Sequence, residues 1–285
     1  MATETHPSGG RAEVHHDFSD RSAVVVGASS GLTRAVALAL GRAGARLTLC
    51  DIDGPGVERT AEDVRSAGGA ARALQADVSD LGAMESVFRA ADDEGPVTLV
   101  VNGAYMGSGH RAPEEVELAD WRRIMAVNID GAFIVSRLAG ERMIRNGLGG
   151  SIVLFSSIAG SSGMGRGNYS YSVGKGAINQ MTRELAVEWG RYGIRVNAVQ
   201  PCQFLTPGVR SWLDDPLNDS ESLRQHFVSG IPLGRLGEVE DIIGPVLFLL
   251  SDAASMVTGV MLPVDGGNLA MNAAGGGPRP AHRAG

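Results

Sequence analysis

The chain has 285 residues, of which 44% are hydrophobic and 20% are charged, and its formal net charge is −7. This composition suits a globular chain with a sizeable core, and its acidic balance argues against binding to nucleic acid or to anionic membrane surfaces. No apolar run approaches the roughly 18 residues of a membrane span, and two cysteines, Cys50 and Cys202, are too few for a disulfide framework, which favours a reducing cytoplasmic location.

Both ends of the chain have the composition of tails. Residues 1–20 mix Ser, Gly, His and acidic residues without periodicity and predict a disordered N-terminal tail, while residues 271–285 predict a flexible C-terminal one. The polar N-terminus lacks a basic segment followed by an apolar core, so no secretory signal is expected. His15-His16 has no spaced partner ligands nearby, and no metal site is predicted.

Between the tails, short apolar runs alternate with longer amphipathic segments. Continuous apolar runs predict strands at 23–26, 47–50, 97–101, 152–155 and 194–199, with a weaker strand at 70–76 and a late one at 259–264. Helices are predicted at 32–42, 57–66, 81–93, 121–145, 171–189 and 239–250. This alternation predicts an α/β fold in one domain, residues 21–270: a doubly wound, Rossmann-like parallel sheet of about seven strands with helices on both faces.

A glycine-rich turn follows the first predicted strand and opens the first predicted helix. It reads Gly27-Ala28-Ser29-Ser30-Gly31-Leu32. Glycines in this context allow a tight turn and let the backbone approach a pyrophosphate, which then lies among the free N–H groups of the helix N-terminus. The turn therefore predicts a dinucleotide site, the alternative being a glycine-capped loop without a ligand.

Asp51 closes the second predicted strand, 20 residues after Gly31. A carboxylate at this place can accept hydrogen bonds from both hydroxyls of an adenosine ribose and repels a 2′-phosphate. Since Ser30 offers no compensating positive charge, the sequence indicates NAD rather than NADP. Asp53 is expected to be a turn residue, and Asp77 could either hold the adenine edge or cap a helix.

Tyr171 and Lys175 are four residues apart in a predicted helix, so their side chains share one face. An ammonium beside a phenol favours the phenolate, which makes the tyrosine a usable acid or base near neutral pH. Ser157, which precedes Tyr171 by 14 residues, adds a hydroxyl donor; the neighbouring Ser156 is expected to be a backbone cap.

Together these motifs resemble the short-chain dehydrogenase/reductase family, in its single-domain branch of about 250 residues. The resemblance covers residues 20 to about 270, in order and at family-like spacing. It is carried by Gly27-x-x-x-Gly31, Asp51, Asp77, Asn102, Asn128, Ser157, Tyr171-x-x-x-Lys175 and Asn197-x-x-x-Pro201.

The resemblance implies a role for each matching residue. Tyr171 would exchange a proton with the substrate oxygen, and Lys175 would lower the pKa of Tyr171 and hold the nicotinamide ribose. Ser157 would donate a hydrogen bond to the substrate oxygen, and Asn128 would hold a water that links Lys175 to solvent. The implied cofactor-binding residues are Gly27, Ser29, Ser30, Gly31, Leu32, Asp51, Ile52, Asp77, Val78, Asn102, Gly103, Ala104, Tyr171, Lys175, Pro201, Phe204 and Thr206.

Three residues depart from the family pattern. Thr33 stands where a third glycine is usual, which puts the cofactor pose there in doubt. Tyr105 places a ring where a small residue is usual and could narrow the cleft. Cys202 replaces the glycine that usually follows Pro201. None of these departures affects Ser157 or the Tyr171–Lys175 pair.

Substrate choice is expected to lie in the loops at 105–113, 160–169 and 207–230, the last long enough to form a lid. Their side chains suggest a largely apolar pocket and hence a secondary alcohol or ketone, apolar or cyclic, although packing of the lid or a subunit contact is an equal alternative. The candidate substrate residues are Tyr105, Met106, Met164, Tyr169 and Trp212. The long helices at 121–145 and 171–189 predict a homotetramer, since such helices pair between subunits in the resembled family.

The combined prediction is an enzyme that transfers hydride between NAD and a small-molecule alcohol or ketone. One alternative is a 3-oxoacyl-type ketoreductase that prefers NADPH, against which Asp51 argues. Another is a dinucleotide-binding protein without catalysis. The complete set of Ser157, Tyr171, Lys175 and Asn128 argues against that second alternative, because binding alone would not require it.

Overall fold

Seven parallel strands form one sheet in the computed structural model, which describes residues 16–109, 111–165, 167–215 and 220–271, apart from the side chains of Trp212 and Ser220. The spatial order of the strands is β3-β2-β1-β4-β5-β6-β7. In chain order they are β1 (Ser22–Val26), β2 (Arg46–Asp51), β3 (Ala70–Gln75), β4 (Val97–Asn102), β5 (Gly150–Phe155), β6 (Ile194–Pro201) and β7 (Met261–Val264).

Helices cover both faces of this sheet, which confirms the predicted doubly wound α/β fold. One face packs against α1, α2 and α9, and the other packs against α3, α5 and α6. The helices are α1 (Gly31–Arg42), α2 (Gly54–Ser66), α3 (Leu81–Asp93), α4 (Leu118–Met125), α5 (Gly131–Asn146), α6 (Tyr169–Trp189), α7 (Pro207–Leu213), α8 (Ser220–Ser229) and α9 (Ile243–Leu250). Strand β1 shows why its run is apolar throughout: Ala23 and Val25 face one helical layer, and Val24 and Val26 face the other.

The strand order reverses between β1 and β4, and open parallel sheets bind ligands at such a reversal, in a crevice at the carboxyl edge. The N–H of Gly27, just after β1, donates to Cys50 O at 2.8 Å. The N–H of Gly103, just after β4, donates to Val26 O at 2.9 Å. The glycine-rich turn and the segment that follows β4 therefore lie side by side at the carboxyl edge.

The predicted helix at 121–145 is interrupted. It consists of α4, a π turn over Ala126–Asp130 and α5. Apolar periodicity alone does not reveal such a turn, because one extra residue per turn shifts the pattern only slightly. The π turn contains Asn128, and π turns are frequent at functional sites. The predicted helix at 239–250 likewise begins as a 3₁₀ turn, Val239–Ile242, and the predicted lid contains α7 and α8.

The predicted disordered tail over residues 1–20 extends too far along the chain, because Phe18 is part of the core. Phe18 is only 2% exposed and belongs to the core cluster beside α1. Its N–H donates to Ala43 O at 2.8 Å, and Ser19 packs against Gly44. A single aromatic ring in a polar segment carries no periodic signal, yet it supplies enough apolar surface to join the core.

No helix within the described ranges is both long enough and apolar enough to cross a membrane. Nor do His, Cys, Asp or Glu side chains in those ranges gather in a group of three or more that could hold a metal ion.

Candidate active site

The turn between β1 and α1 presents free hydrogen-bond donors to the crevice. Ser30 is the N-cap of α1 but makes no side-chain capping bond. The first turn of α1, all of whose residues the structure describes, carries no acidic residue. The N–H groups and the positive end of the helix dipole are therefore available to an anion. Gly27 has a φ of 83°, and a β-carbon there would lie 2.6 Å from Ala104 N, so only glycine allows this close turn.

Asp51 lies beside this turn with both carboxylate oxygens oriented by the backbone. The N–H of Ser29 donates to one oxygen at 2.9 Å and the N–H of Asp53 to the other at 3.0 Å. Each oxygen keeps a further lone pair for a hydroxyl. Ile52, the residue after Asp51, is exposed, and Asp53 caps α2 by accepting from Gly56 N. Two backbone N–H groups thus fix the orientation of the Asp51 carboxylate, the predicted acceptor for the ribose hydroxyls.

Thr33, which stands where a third glycine is usual, packs against Gly103 of the segment after β4. Thr33 is buried in α1, and a β-carbon placed on Gly103 would lie only 2.0 Å from its Oγ1 atom. The hydroxyl of Thr33 therefore occupies space that the missing side chain at position 103 leaves. The bulk that Thr33 adds is therefore directed at the segment after β4.

Ser157 and Tyr171 lie close together beyond the end of β5, and Ser157 acts on the pKa of the Tyr171 hydroxyl. Lys175 is fully buried, with its Nζ atom 5.5 Å from the centroid of the Tyr171 ring. That amine donates to Phe155 O at 2.6 Å. The predicted trio is thus brought together, with the lysine anchored to the last residue of β5.

Burial shifts the pKa values of both Tyr171 and Lys175. It raises the pKa of Tyr171 to about 12, and the hydrogen bond from Ser157 offsets only part of this effect. Burial also lowers the pKa of Lys175 to about 7, so the lysine is only partly charged at neutral pH. Burial thus disfavours the charged form of both groups, and the expectation that the Lys175 ammonium lowers the pKa of Tyr171 stays a prediction.

Asn128 fixes the loop that follows β4. Its Oδ1 atom accepts from Met106 N at 2.7 Å, and its Nδ2 atom donates to Met106 O at 2.9 Å. The side chain packs against Gly174 of α6, where a β-carbon would approach its Cβ to 3.0 Å. Asn128 therefore links three segments of the site. Its predicted role in holding a water beside Lys175 stays a prediction.

A buried polar network behind Ser157 escaped the sequence analysis. Ser156 Oγ donates to Asn179 Oδ1 at 2.6 Å, and Asn179 Nδ2 donates to Gly160 O at 2.8 Å. Gln200 Nε2 donates to Ser157 O at 3.1 Å. Ser156 is thus more than the expected backbone cap. The available signal was spacing: Asn179 follows Lys175 by one more helical turn on the same face of α6.

Aromatic side chains lie at the mouth of the site. Tyr105 is 63% exposed, and its ring meets that of Tyr171 edge-on at a centroid distance of 6.0 Å. Tyr169 is also exposed and packs against Trp121 at 5.6 Å. Met106 and Met164 are half-buried. Trp212, the fifth candidate substrate residue, has its side chain outside the described part of the structure.

Phe204 does not occupy the position expected for it. It is 4% exposed and packs against Gly237 in the core, so its ring is not available beside a nicotinamide. Thr206, by contrast, lies at the crevice: it caps α7 by accepting from Val209 N, and its methyl group lies 3.7 Å from a β-carbon placed on Gly31. Burial raises the pKa of Cys202 to about 11, which disfavours a reactive thiolate.

The remaining predicted cofactor residues line or support the crevice. Asp77 accepts from the N–H and the hydroxyl of Ser79, and Asp80 is the residue that caps α3, so the capping alternative for Asp77 is wrong. Asn102 Oδ1 accepts from Ala104 N at 3.2 Å. Three further members are packed into their surroundings, namely Leu32, Val78 and Pro201.

These observations fit a dinucleotide. The free helix N-terminus suits a pyrophosphate, and the oriented Asp51 suits a ribose. Lys175 and Tyr171 lie beyond the end of β5, whereas Thr206 lies beside Gly31 of the turn.

Comparison with known proteins finds a reductase family model and relatives that are named dehydrogenases. A family model described as enoyl-(acyl carrier protein) reductase matches residues 27–268. Galactitol 2-dehydrogenase (L-tagatose-forming) from Cereibacter sphaeroides is 38% identical over 247 residues, covering 86% of this chain and 93% of the relative. D-threitol dehydrogenase from Mycolicibacterium smegmatis is 35% identical over 259 residues, covering 89% and 95%.

A solved structure agrees with these relatives. It comes from Beutenbergia cavernae, is named as a candidate NAD(P)-dependent gluconate 5-dehydrogenase, and carries NADP at low occupancy. Its sequence is 36% identical, the TM-score is 0.80, and the match covers 90% of this chain and 99% of the other.

Proposed function

Because the chain belongs to the short-chain dehydrogenase/reductase family, we propose that it is an NAD-dependent enzyme that interconverts a secondary alcohol and its ketone. The observation that carries the proposal is the meeting of Tyr171, Ser157 and Lys175 beside a turn that fits a dinucleotide. Relatives named as dehydrogenases of alcohols support the same reaction class.

Tyr171 is the proposed acid and base. Its raised pKa keeps the phenol protonated at neutral pH, which suits donation of a proton to a ketone oxygen. For alcohol oxidation the phenol must first lose that proton, and positive charge on Lys175 assists this loss. Ser157 donates a hydrogen bond to the same oxygen as charge develops there. The nicotinamide group, when bound, supplies the hydride chemistry.

NAD is the proposed coenzyme because Asp51 is oriented to accept ribose hydroxyls and carries a charge that repels a 2′-phosphate. The rival is an NADPH-preferring ketoreductase. Initial rates with equal concentrations of NAD and NADP separate the two, and a higher rate with NADP contradicts the proposed preference.

The proposed substrate is a small secondary alcohol that carries further hydroxyl groups or a ring. Two relatives are named for the acyclic polyols galactitol and D-threitol. The exposed rings of Tyr105 and Tyr169 offer flat apolar faces for the C–H groups of such molecules. The half-buried Met106 and Met164 favour a more apolar substrate, which is the second candidate.

A panel of alcohols tests the reaction and its substrate class together. Galactitol, D-threitol, cyclohexanol and a medium-chain 2-alkanol are each incubated with NAD, and NADH absorbance is followed. Turnover of the polyols above the others supports the first class, and the reverse order supports the second. A sugar acid such as gluconate is added to the panel, and turnover of that compound alone contradicts both classes.

We also propose that the chain assembles as a homotetramer. Helices α5 and α6 carry exposed apolar side chains, including Phe133 and Val187, that the single chain leaves uncovered. Light scattering measures the mass directly, and a monomeric mass contradicts the assembly.

A further inference from the structure

Ser157 caps a short 3₁₀ turn, Ile158–Gly160, that follows β5. Its hydroxyl oxygen accepts a hydrogen bond from the N–H of Ala159 at 3.2 Å, and its carbonyl oxygen accepts from the N–H of Gly160 at 2.9 Å. A hydroxyl that accepts from the backbone still has its own proton to donate. The conformation of this turn therefore decides in which direction Ser157 donates.

Gln200 of β6 binds both ends of this turn. Its Nε2 atom donates to the carbonyl oxygen of Ser157 at 3.1 Å and to Oγ of Ser161 at 2.7 Å. An amide nitrogen carries two hydrogens, so both bonds can form at once. Gln200 is only 2% exposed, which shields these bonds from competition with water. One buried side chain thus ties the turn to the neighbouring strand.

Asn179 of α6 holds the same turn from a second element. Its Nδ2 atom donates to Gly160 O at 2.8 Å, and its Oδ1 atom accepts from Ser156 Oγ at 2.6 Å. A longer contact of 3.4 Å joins that Oδ1 atom to Nε2 of Gln200. The two amides therefore belong to one network, in which Ser156, Asn179 and Gln200 are all buried.

The turn is also packed against the part of α6 that carries Lys175. A β-carbon placed on Gly160 would lie 2.6 Å from the carbonyl oxygen of Lys175, and Ser156 Oγ donates to that same oxygen at 3.1 Å. Shifts of about 1 Å in a group that faces the reacting atoms can lower a rate about a hundredfold. The polar ties of the turn consequently bear on the chemistry as well as on the fold.

We propose that Gln200 is a positioning residue: its amide fixes the turn so that Ser157 donates its hydroxyl proton toward the substrate oxygen. The inference rests on the proposed function, because it requires a substrate oxygen at Ser157. Gln200 acts only through Ser157 and its turn, without contact to the reacting atoms. It stands directly before Pro201, in a motif whose spacing assigned it no role.

The substitution Gln200→Met removes the amide and keeps a side chain of similar length. Turnover of the best alcohol from the panel and the dissociation constant of NADH are measured for the wild type, Gln200→Met, Ser157→Ala and the double variant. We expect Gln200→Met to lower kcat about tenfold with NADH affinity unchanged. In the Ser157→Ala background it should lower kcat by no more than about twofold, because the group through which it acts is already missing.

Thr182→Val is a matched control within α6. Thr182 is fully buried and donates its hydroxyl to Ile178 O at 2.8 Å, so valine removes a buried hydrogen bond that does not involve the turn. This variant should leave kcat unchanged. Hydrogen–deuterium exchange of residues 157–161 in the ligand-free protein should be faster in Gln200→Met than in the wild type or in Thr182→Val.

A second variant covers a failure of Gln200→Met to fold. Asn179→Ala removes the other amide that holds the turn, and its effect on kcat should show the same dependence on Ser157. The double-mutant cycle is then measured with Asn179→Ala in place of Gln200→Met.

The outcomes separate the positioning role from the function. Equal losses of kcat in the presence and absence of the Ser157 hydroxyl indicate a general weakening of the fold and refute the positioning role, as does unchanged exchange of the turn. The dehydrogenase proposal stands in both cases. A wild-type protein that turns over no alcohol of the panel refutes the proposed function, and the positioning role with it.

Discussion

Burial of Lys175 makes the stability of the ligand-free protein depend on pH in a distinctive way. The pKa of this amine is lowered from 10.5 to about 7 in the folded chain. Between these values the unfolded chain binds a proton that the folded chain does not, so the free energy of unfolding rises with pH. The cost of the buried lysine is present in full below pH 7 and is relieved as the pH approaches 10.5.

The size of the effect follows from these two pKa values. Between about pH 7.5 and 9.5, Lys175 alone is expected to raise the free energy of unfolding by roughly 2 to 3 kcal/mol. Urea unfolding of the ligand-free protein at these two pH values, at one protein concentration, measures the change. In Lys175→Met, which keeps an apolar chain of similar length, this component should be absent.

Comparing the wild-type protein with Lys175→Met removes the effects of other titrating groups on the pH dependence of stability. Burial raises the pKa of Cys50 to about 12 and that of Cys202 to about 11, so both thiols contribute in the opposite direction at alkaline pH. Their contributions are common to the wild type and to Lys175→Met. The reasoning is refuted if the two proteins show the same change in stability between the two pH values.

Three further predictions concern packing and chemistry. Gly103→Ala should lower stability by about 2 kcal/mol because the new methyl group collides with Oγ1 of Thr33; adding Thr33→Ala should recover most of the loss, and no recovery would contradict the pairing. Phe18→Ala should lower the free energy of unfolding, measured with urea, by about 3 kcal/mol. A decrease near zero would contradict the assignment of Phe18 to the core. Ser157→Ala should lower kcat about a hundredfold with NADH affinity unchanged, and an unaltered kcat would remove Ser157 from the mechanism.

The sheet could be predicted because its strands are buried on both faces. The run 152–155 is apolar throughout, and the run 97–101 is apolar except for the buried Thr98; the apolar residues of both runs pack against a helical layer. The glycine-rich turn could also be predicted from the sequence, since Gly27 adopts a backbone conformation with positive φ that other residues avoid. Local sequence therefore determines these features, and the structure agrees with the prediction for each.

Features that depend on tertiary burial were not predictable in this way. The raised pKa of Tyr171 and the lowered pKa of Lys175 arise from desolvation, which no spacing rule reports. Phe204 matches a family motif but lies in the core, because Gly237 leaves room for its ring. The Arg34–Asp63 pair joins two helices that are distant in sequence. Each of these depends on which elements pack together.

The most direct test of the central claim is the substitution Tyr171→Phe, which removes one hydroxyl and keeps the ring that packs against Tyr105. Turnover of the best alcohol from the panel and the dissociation constant of NADH are measured on the same preparation. We predict that kcat falls by at least about a hundredfold while NADH affinity changes little. Unchanged turnover in this variant would contradict the assignment of Tyr171 as the group that exchanges a proton with the substrate.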